Sequence, residues 1–486
     1  MPHKTHNVSI IGAGMAGTLL AILLARRGYS VDVFERHPDP HSGERDIELA
    51  SNLALGERAR HALRVTGLLD RVERVATPMR GRMIHDRSGR LTLQPYGYRE
   101  YETLYSVRRE SLQLCLLDEA ERQPNIRTHF DHELQEIDWG AQIAVFRTRH
   151  NGGGHTHRFD VLIGADGPGS AVRRSMDSVS DLGSDISMLD AGYKFLTIAA
   201  DEQHAPLMDP HALHVWPRGG YMMLAFPGPD GSFTATLFLP LKGDHRMIWG
   251  FEELDSWTRQ SAFMDANFPD VTPLIRNLEE EFREHPVGRM GTVRLDRWHL
   301  GGKAMLIGDA AHAIVPFHGQ GVNSALEDCT TLDTILDEHP PTWEAAFAAL
   351  QDRRKTGTDA VANMAVIDRL VAAAGRAGEV LGWVPAHPGL DAIIGTAWDS
   401  SCGYYRGSDY PPIPASFGSC IDGDSGTYPP PAQYSAGSTG SSPYYHMIVT
   451  GTGYWVPEQV TDPQGRLAVE VALPGVPATW RMTVLA

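Results

Sequence analysis

Three separated clusters of glycines and carboxylates hold the residues best able to do chemistry in this chain. The first is Gly12-Ala13-Gly14-Met15-Ala16-Gly17, followed at the end of the next apolar run by Glu35 and Arg36. In a G-x-G-x-x-G turn the first glycine allows the tight bend. The second lets the backbone approach a pyrophosphate, and the third lets a helix pack closely on its strand. The helix that follows turns unpaired N–H groups and the positive end of its dipole toward the phosphates. Glu35 would accept hydrogen bonds from a ribose diol and repel a 2′-phosphate, so the site suits FAD or NAD and disfavours NADP. The second cluster is Asp166-Gly167. The third begins at Gly308-Asp309 and runs through Pro316, Phe317, His318, Gly319, Gln320, Gly321 and Val322 to Asn323. A carboxylate, a Gly-rich turn and a helix start in that order make a cradle for an anionic or hydroxyl-rich ligand. Taken singly, the second and third clusters also describe ordinary turns; their company with the first points to a bound cofactor.

The elements that must position these residues are legible nearby. Val8–Ile11 predicts a buried strand, 18–27 a helix stopping at Gly28, and Ser30–Phe34 a second strand, together a βαβ unit. Apolar runs at 160–164 and 304–307 predict the strands that deliver Asp166 and Asp309, and a helix is expected from Asn323 to about Leu336. Between about 185 and 290 the texture changes. Strand-like segments at 191–199, 213–216, 221–226 and 233–239 alternate with Gly/Pro/Asp turns, which predicts an antiparallel sheet able to roof a pocket. Residues 342–384 are Ala-rich and helical in pattern. Residues 386–445 are loaded with Gly, Ser, Pro and Tyr, and alternation returns in 446–486, best in Leu467–Leu473.

Composition narrows the classes. The chain has 486 residues and a net charge of −17, with 42% apolar and 21% charged residues, values of a soluble globular protein with ample core. No basic stripe is present, which argues against nucleic acid as a partner. Four cysteines argue for a reducing compartment, although Cys402 and Cys420 lie close in an irregular segment. No signal peptide and no apolar run of the ~20 residues needed to span a bilayer are found, so a cytoplasmic location is expected. The 22 histidines form no H-E-x-x-H or comparable cluster; His211 and His214 are the nearest to a ligand pair, and no metal site is expected.

The three clusters, in this order, resemble those of the group A flavoprotein monooxygenases, which have the para-hydroxybenzoate hydroxylase fold. The resemblance covers residues 1 to about 380. It sharpens toward the kynurenine 3-monooxygenase family at Asn52-Leu53-Ala54-Leu55, Met79–His85, Pro95-Tyr96-Gly97, Leu213–Arg218, Met222-Met223, Ser232-Phe233-Thr234 and Val315–Gly321. The fold it implies is α/β: a Rossmann-like FAD-binding domain interleaved with an antiparallel-sheet substrate domain, then a helical segment and a small β-rich extension. The expected boundaries give the FAD-binding domain residues 1–75, 106–180 and 296–340, and the substrate domain 76–105 and 181–295. The helical segment is 341–385, and the irregular connector with its β unit 386–486.

The same resemblance implies the roles. FAD is to be held by Gly12, Gly14, Met15, Ala16, Gly17, Glu35, Arg36, Leu55, Arg109, Asp166, Gly308, Asp309, Gly319, Gly321, Val322 and Asn323. Arg82 and Tyr96 are to hold an amino-acid carboxylate, a chemistry that suits a guanidinium beside a phenol. Leu213, Met222, Leu224, Phe226, Phe238, Pro316 and Phe317 are to form the apolar pocket, with Gln320 polar among them. NADPH, or NADH, would reduce the flavin and O2 would give a C4a-hydroperoxide that hydroxylates an aromatic amino acid, kynurenine in that family, as in tryptophan catabolism. No second dinucleotide motif marks a nicotinamide site. The chain departs from the family twice. Ile367-Asp368 stands where an Asn preceded by Tyr assists the substrate carboxylate, and an Asp there would repel a carboxylate or bind an ammonium. The tail beyond about 385 matches neither a membrane anchor nor a helical segment. A related aryl amino acid or anthranilate-like substrate is the alternative, and a non-catalytic flavoprotein a third reading.

Overall fold

A computed structural model of the chain describes residues 7–42, 51–97, 102–148, 152–243, 249–340, 342–373, 454–461, 466–472 and 479–485. The first glycine cluster lies where the strand Asn7–Ile11 gives way to the helix Met15–Arg26. That strand is sandwiched in parallel between Ser30–Phe34 and Val161–Gly164, and the latter pairs in parallel with Ala304–Leu306. Val161–Gly164 and Ala304–Leu306, buried on both faces, are continuous apolar runs without alternation, whereas the other two strands carry the buried polar residues Ser9 and Asp32. In-register pairing of Ile11 with Gly164 and of Gly164 with Leu306 brings the C-terminal ends of all three to one edge. Gly12, Asp166 and Gly308 therefore emerge side by side, in the crevice where open α/β sheets bind ligands.

A seven-stranded sheet forms the second layer and is two-faced. Its strands follow the order Gly288–Arg294, Asp185–Ile198, Phe233–Pro240, Met222–Pro227, Ala212–Pro217, Gly81–His85 and Leu91–Pro95. All described pairs are antiparallel except Ala212–Pro217 with Gly81–His85, which runs parallel. Period-2 alternation sorts its side chains. Trp216, Met223, Ala225, Ala235 and Leu237 pack with Phe263, Met264 and Phe282 of the helices Trp257–Asn267 and Leu278–Glu284. Their neighbours Leu213, Met222, Leu224, Phe226 and Phe238 go to a separate cluster on the opposite face. Among the described residues there are thus three apolar cores: one under the parallel sheet, one between the second sheet and its helices, and a small one between the second sheet and residues 314–317.

The helix Gly321–Asp337 docks on both Met15–Arg26 and Glu57–Val65, and Trp343–Ala373 packs behind it. One fully buried carboxylate pins this arrangement. Asp328 accepts from Gly308 N at 2.9 Å, His312 Nε2 at 2.6 Å and Arg354 Nε at 2.8 Å. Three C-terminal strands, Tyr454–Thr461, Arg466–Ala472 and Thr479–Leu485, form an antiparallel meander. Residues 386–453, with Cys402 and Cys420, lie outside the described residues; Cys115 and Cys329 are buried and free. No helix among the described residues is long and apolar enough to cross a membrane.

Burial alone would raise the Asp328 pKa, but His312 and Arg354 outweigh it and hold it at about 2. Its contribution to stability is complete above the unfolded carboxylate value of ~3.9 and is lost as pH falls toward the folded value. Asp328→Ala removes the acceptor of Gly308 N and His312 and one of the two carboxylates on Arg354, and should cost roughly 3–5 kcal/mol, read as a lower denaturation midpoint in the FAD-loaded protein.

Candidate active site

The first wall of the crevice is backbone. Gly12 turns the chain at φ +102°, and a Cβ there would sit 2.4 Å from Ala165 O. A Cβ on Gly17 would be 1.9 Å from Gly12 O, so helix and strand need a glycine to pack. At Gly14 a Cβ would meet no protein atom within 4 Å: this glycine faces open space that a phosphate group fits. Gly14 is also the N-cap, with no side-chain cap and no acid in the first turn, so the first N–H groups of the helix stay available at Met15 and Ala16. Gln113 Nε2 donates to Ala13 O and braces the loop from behind. Glu35 reaches back from the second strand: Oε2 accepts from Ala13 N at 2.8 Å and Oε1 from His37 N at 2.9 Å. Arg36 is exposed, with Nε 3.0 Å from His37 Nε2.

The other two clusters close the crevice. Gly308, at φ +56°, lies against Ala16 and Ala325, and a Cβ on Gly321 would be 3.6 Å from Asp309 Oδ1. The Asp309 carboxylate therefore stands beside the start of the Gly321–Asp337 helix, whose N-terminus has no side-chain cap and no acid in its first turn. Desolvation pushes the Asp309 pKa up, and Arg109 and His312 oppose it. No described group donates a hydrogen bond to this carboxylate, as expected of an acceptor waiting for ligand hydroxyls. Asp166 differs. Its Oδ1 takes Ser170 Oγ and its Oδ2 takes Ala171 N at 2.7 Å and Val172 N at 3.1 Å, so the carboxylate caps the helix Ala171–Val179 and its backbone packs on Gly12. Leu55 points into the core under the parallel sheet. Asn323 is spent on the fold: Oδ1 accepts from Gly56 N, and Nδ2 donates to Ala54 O and Gly319 O. The helix starts at Gly321, two residues before the expected Asn323, so the N–H groups of Gly321 and Val322 belong to its first turn. Open space at Gly14, two uncapped helix N-termini and a hydroxyl-seeking carboxylate fit FAD.

The second half of the site is the small third core. Leu213, Leu224 and Phe238 are buried in it, with Met222, Phe226, Tyr96 and Phe317 partly buried around it. The rings of Phe238 and Phe317 lie 5.3 Å apart, which ties the sheet to the 316–318 turn. Pro316 is exposed at the edge. The Arg82 guanidinium lies 5.7 Å from the Tyr96 ring centroid. Arg82 pairs in register with Leu213, so the cation and the apolar lining share one sheet face. Gln320 is buried, and its Oε1 accepts from Arg58 Nη2 at 2.7 Å. For His318 and Asp368 the structure describes the backbone alone; Asp368 is on the helix Trp343–Ala373, and its side chain lies outside the described residues.

Several residues of the site carry no local sequence signal. Arg58 joins Gln320 to Glu327, and Arg354 joins Glu327 to Asp328. Asp328 alone left a clue: it sits among Ala325, Leu326, Cys329 and Leu332 on a buried helix face, where an acid must have a partner. At the surface, Asp39, His41 and Glu121 bring three ligand-type atoms within 4.8 Å of one another. His41 there is hydrogen-bonded to Asp39 and Asp118, and Asp118 to Arg71.

Residues 5–343 match the family model described as "FAD binding domain". The kynurenine 3-monooxygenase of Stenotrophomonas maltophilia (strain K279a) is 45% identical over 364 residues, 75% of this chain and 79% of that protein. The enzyme of the same name from Xanthomonas campestris pv. campestris (strain 8004) is 44% identical over 360 residues, 74% of this chain and 78% of its own length. Among solved structures, 2-methyl-3-hydroxypyridine-5-carboxylic acid oxygenase superposes with a TM-score of 0.61 at 21% identity, over 76% of this chain and 93% of that one. PqsL from Pseudomonas aeruginosa, a probable FAD-dependent monooxygenase, superposes with a TM-score of 0.59 at 20% identity, over 78% of this chain and 99% of that one.

The glycines separate folding from cofactor binding. Gly17→Ala forces a backbone clash and should lower the thermal midpoint of the apoprotein. Gly14→Ala meets no protein atom and should leave that midpoint unchanged while weakening FAD affinity, measured by flavin fluorescence on titration.

Proposed function

We propose that this chain, which belongs to the kynurenine 3-monooxygenase family of FAD-dependent aromatic hydroxylases, converts L-kynurenine to 3-hydroxykynurenine using NADPH and O2. The observation that carries this reading is the third core: an apolar cluster that includes Tyr96 and Phe317, with the Arg82 guanidinium 5.7 Å from the Tyr96 ring centroid. Bound FAD supplies the redox chemistry, taking reducing equivalents from the nicotinamide and activating oxygen for insertion into the ring.

The chain supplies binding, orientation and dryness. Arg82 and the Tyr96 hydroxyl hold the amino-acid carboxylate with charge-assisted hydrogen bonds. Leu213, Met222, Leu224, Phe226 and Phe238 bury the ring and exclude water, which would otherwise divert activated oxygen to H2O2. Pro316 and Phe317 form the wall between ring and cofactor, and Arg58 keeps Gln320 directed by its 2.7 Å hydrogen bond. Glu35 takes the adenosine ribose, Gly12–Gly17 the pyrophosphate, and Asp309 the ribityl hydroxyls. The start of the Gly321–Asp337 helix, uncapped and without an acid in its first turn, would offer positive potential to bound FAD. The aniline nitrogen of kynurenine already donates electrons to the ortho carbon, so the ring needs no protein base. Asp368, standing where relatives are expected to have Asn, motivates a second reading: a related aryl amino acid or anthranilate-like substrate.

Purified yellow protein should oxidise NADPH faster with kynurenine and yield stoichiometric 3-hydroxykynurenine; NADPH loss giving only H2O2 would sink the first reading. Arg82→Ala should weaken kynurenine binding roughly 10- to 100-fold, the range for a hydrogen-bonded charge, in a titration of flavin absorbance. Unchanged affinity would rule out the clamp.

A further inference from the structure

A continuous chain of polar side chains crosses the pocket sheet on the face turned away from the cavity. His214 Nε2 lies 2.9 Å from Asp209 O, His214 Nδ1 2.8 Å from His85 Nε2, and His85 Nδ1 2.9 Å from Asp270 Oδ2. The same Asp270 oxygen accepts from Trp216 Nε1 at 2.7 Å, and the Trp216 and His85 rings stack with centroids 4.0 Å apart. Both histidines are buried, and Arg218, also buried, donates to His85 O while its Nη2 stands 3.9 Å from Asp270 Oδ1. His211, which the sequence pairs with His214, goes elsewhere, to Pro78 O.

Donors and acceptors fix the number of protons. A carbonyl oxygen and a carboxylate only accept, so the links to Asp209 O and to Asp270 each need an N–H. The link between the rings needs one more. Four ring nitrogens carry three protons only when one of the two imidazoles is an imidazolium. His85 faces the carboxylate, whereas burial, with repulsion from His85, pushes His214 down to about 4. Of the two rings, His85 is the one hydrogen-bonded to a carboxylate, and the geometry points to it as the ring that carries the third proton. Burial would raise the Asp270 pKa, but hydrogen bonds from His85 and Trp216 bring it below the usual carboxylate range.

We propose that His85 and His214, anchored by Asp270, are positioning residues: a singly charged imidazole pair that ties the strand carrying Arg82 to the strand carrying Leu213. This rests on the reading of Arg82 as the carboxylate clamp. The two strands meet in the sheet's parallel pairing, with Arg82 opposite Leu213 and Met83 opposite His214. Parallel pairing is slightly the weaker kind, and the histidine link bridges it directly. Removing one proton leaves two N–H groups for three links; the carboxylate and the carbonyl keep theirs, so the link between the rings loses its donor and the tie breaks as pH rises. The charged and titratable groups around the pair are Asp270, Arg218 and Asp209, with Asp86 and Arg87 on the turn after His85.

The experiment uses the FAD-loaded enzyme with 15N-labelled histidine. In long-range N–H spectra at pH 7, the His85 and His214 signals, assigned among the 22 histidines by their loss in His85→Gln and His214→Gln, should be one imidazolium and one neutral ring protonated on Nε2. Loss of the imidazolium on raising pH should coincide with a rise in KM for kynurenine, with kcat held within about twofold. Asp270→Asn should abolish the imidazolium signal, raise KM about tenfold at pH 7 and flatten the pH dependence of kcat/KM; Asp270→Glu should restore part of it. His85→Gln, which keeps a donor and an acceptor without charge, is the second variant and should be equally flat. Two neutral rings at pH 7, or wild-type pH profiles in both Asp270→Asn and His85→Gln, would overturn the proposal. If Arg82→Ala leaves KM unchanged, the clamp fails on its own, while the spectra and the Asp270→Asn profile still decide the relay.

Discussion

Asp328 is the group on which the rest of the site depends. A carboxylate with no exposure must be matched by donors, and those it recruits come from the cofactor loop, Gly308 N and His312, and from the helix Trp343–Ala373, Arg354. The network continues from Arg354 to Glu327, from Glu327 to Arg58, and from Arg58 to Gln320 at the pocket. One chain of charged groups thus holds the turn that carries Asp309, the helix Gly321–Asp337 and the side chain of Gln320. Buried pairs of this kind are poor sources of net stability; what they enforce here is a single arrangement of three segments distant in sequence.

Asn323 performs the neutral counterpart of this task. Its amide bonds Ala54, Gly56 and Gly319 backbone groups, which locks the Asn52–Leu55 strand and the 316–319 turn to the helix start. Through these bonds and the Phe238–Phe317 ring contact, the cofactor crevice and the apolar cavity are built on shared walls.

Much of the fold was legible because it is encoded locally. The glycine turn with its flanking strand and helix is set by sterics within a few residues, and the strands at 212–217, 222–227 and 233–240 follow from alternation. Boundaries shifted where capping decides them: the first helix begins at Met15, not Thr18, because Gly14 is its N-cap. Family resemblance, not spacing, pointed to Arg82, Tyr96 and the apolar lining. The roles of Asp166 and Asn323 side chains could not be read from sequence, since both depend on which backbone groups happen to be unpaired nearby. Arg58, Arg354 and the His85–His214–Asp270 chain were invisible for a related reason: their partners lie tens to hundreds of residues away.

The two-faced sheet has a consequence for how such a protein can change. Positions 213, 222, 224, 226 and 238 belong to the third core, while 216, 223, 225 and 237, on the opposite face of the sheet, belong to the second. Side chains on the two faces pack in separate clusters, so a substitution in the third core leaves the contacts of the helices on the other face in place. The lining can drift toward new ring shapes one residue at a time, whereas the cofactor crevice, cross-linked by buried charge, resists alteration. Diversification is channelled to the roof of the pocket, and the floor is inherited.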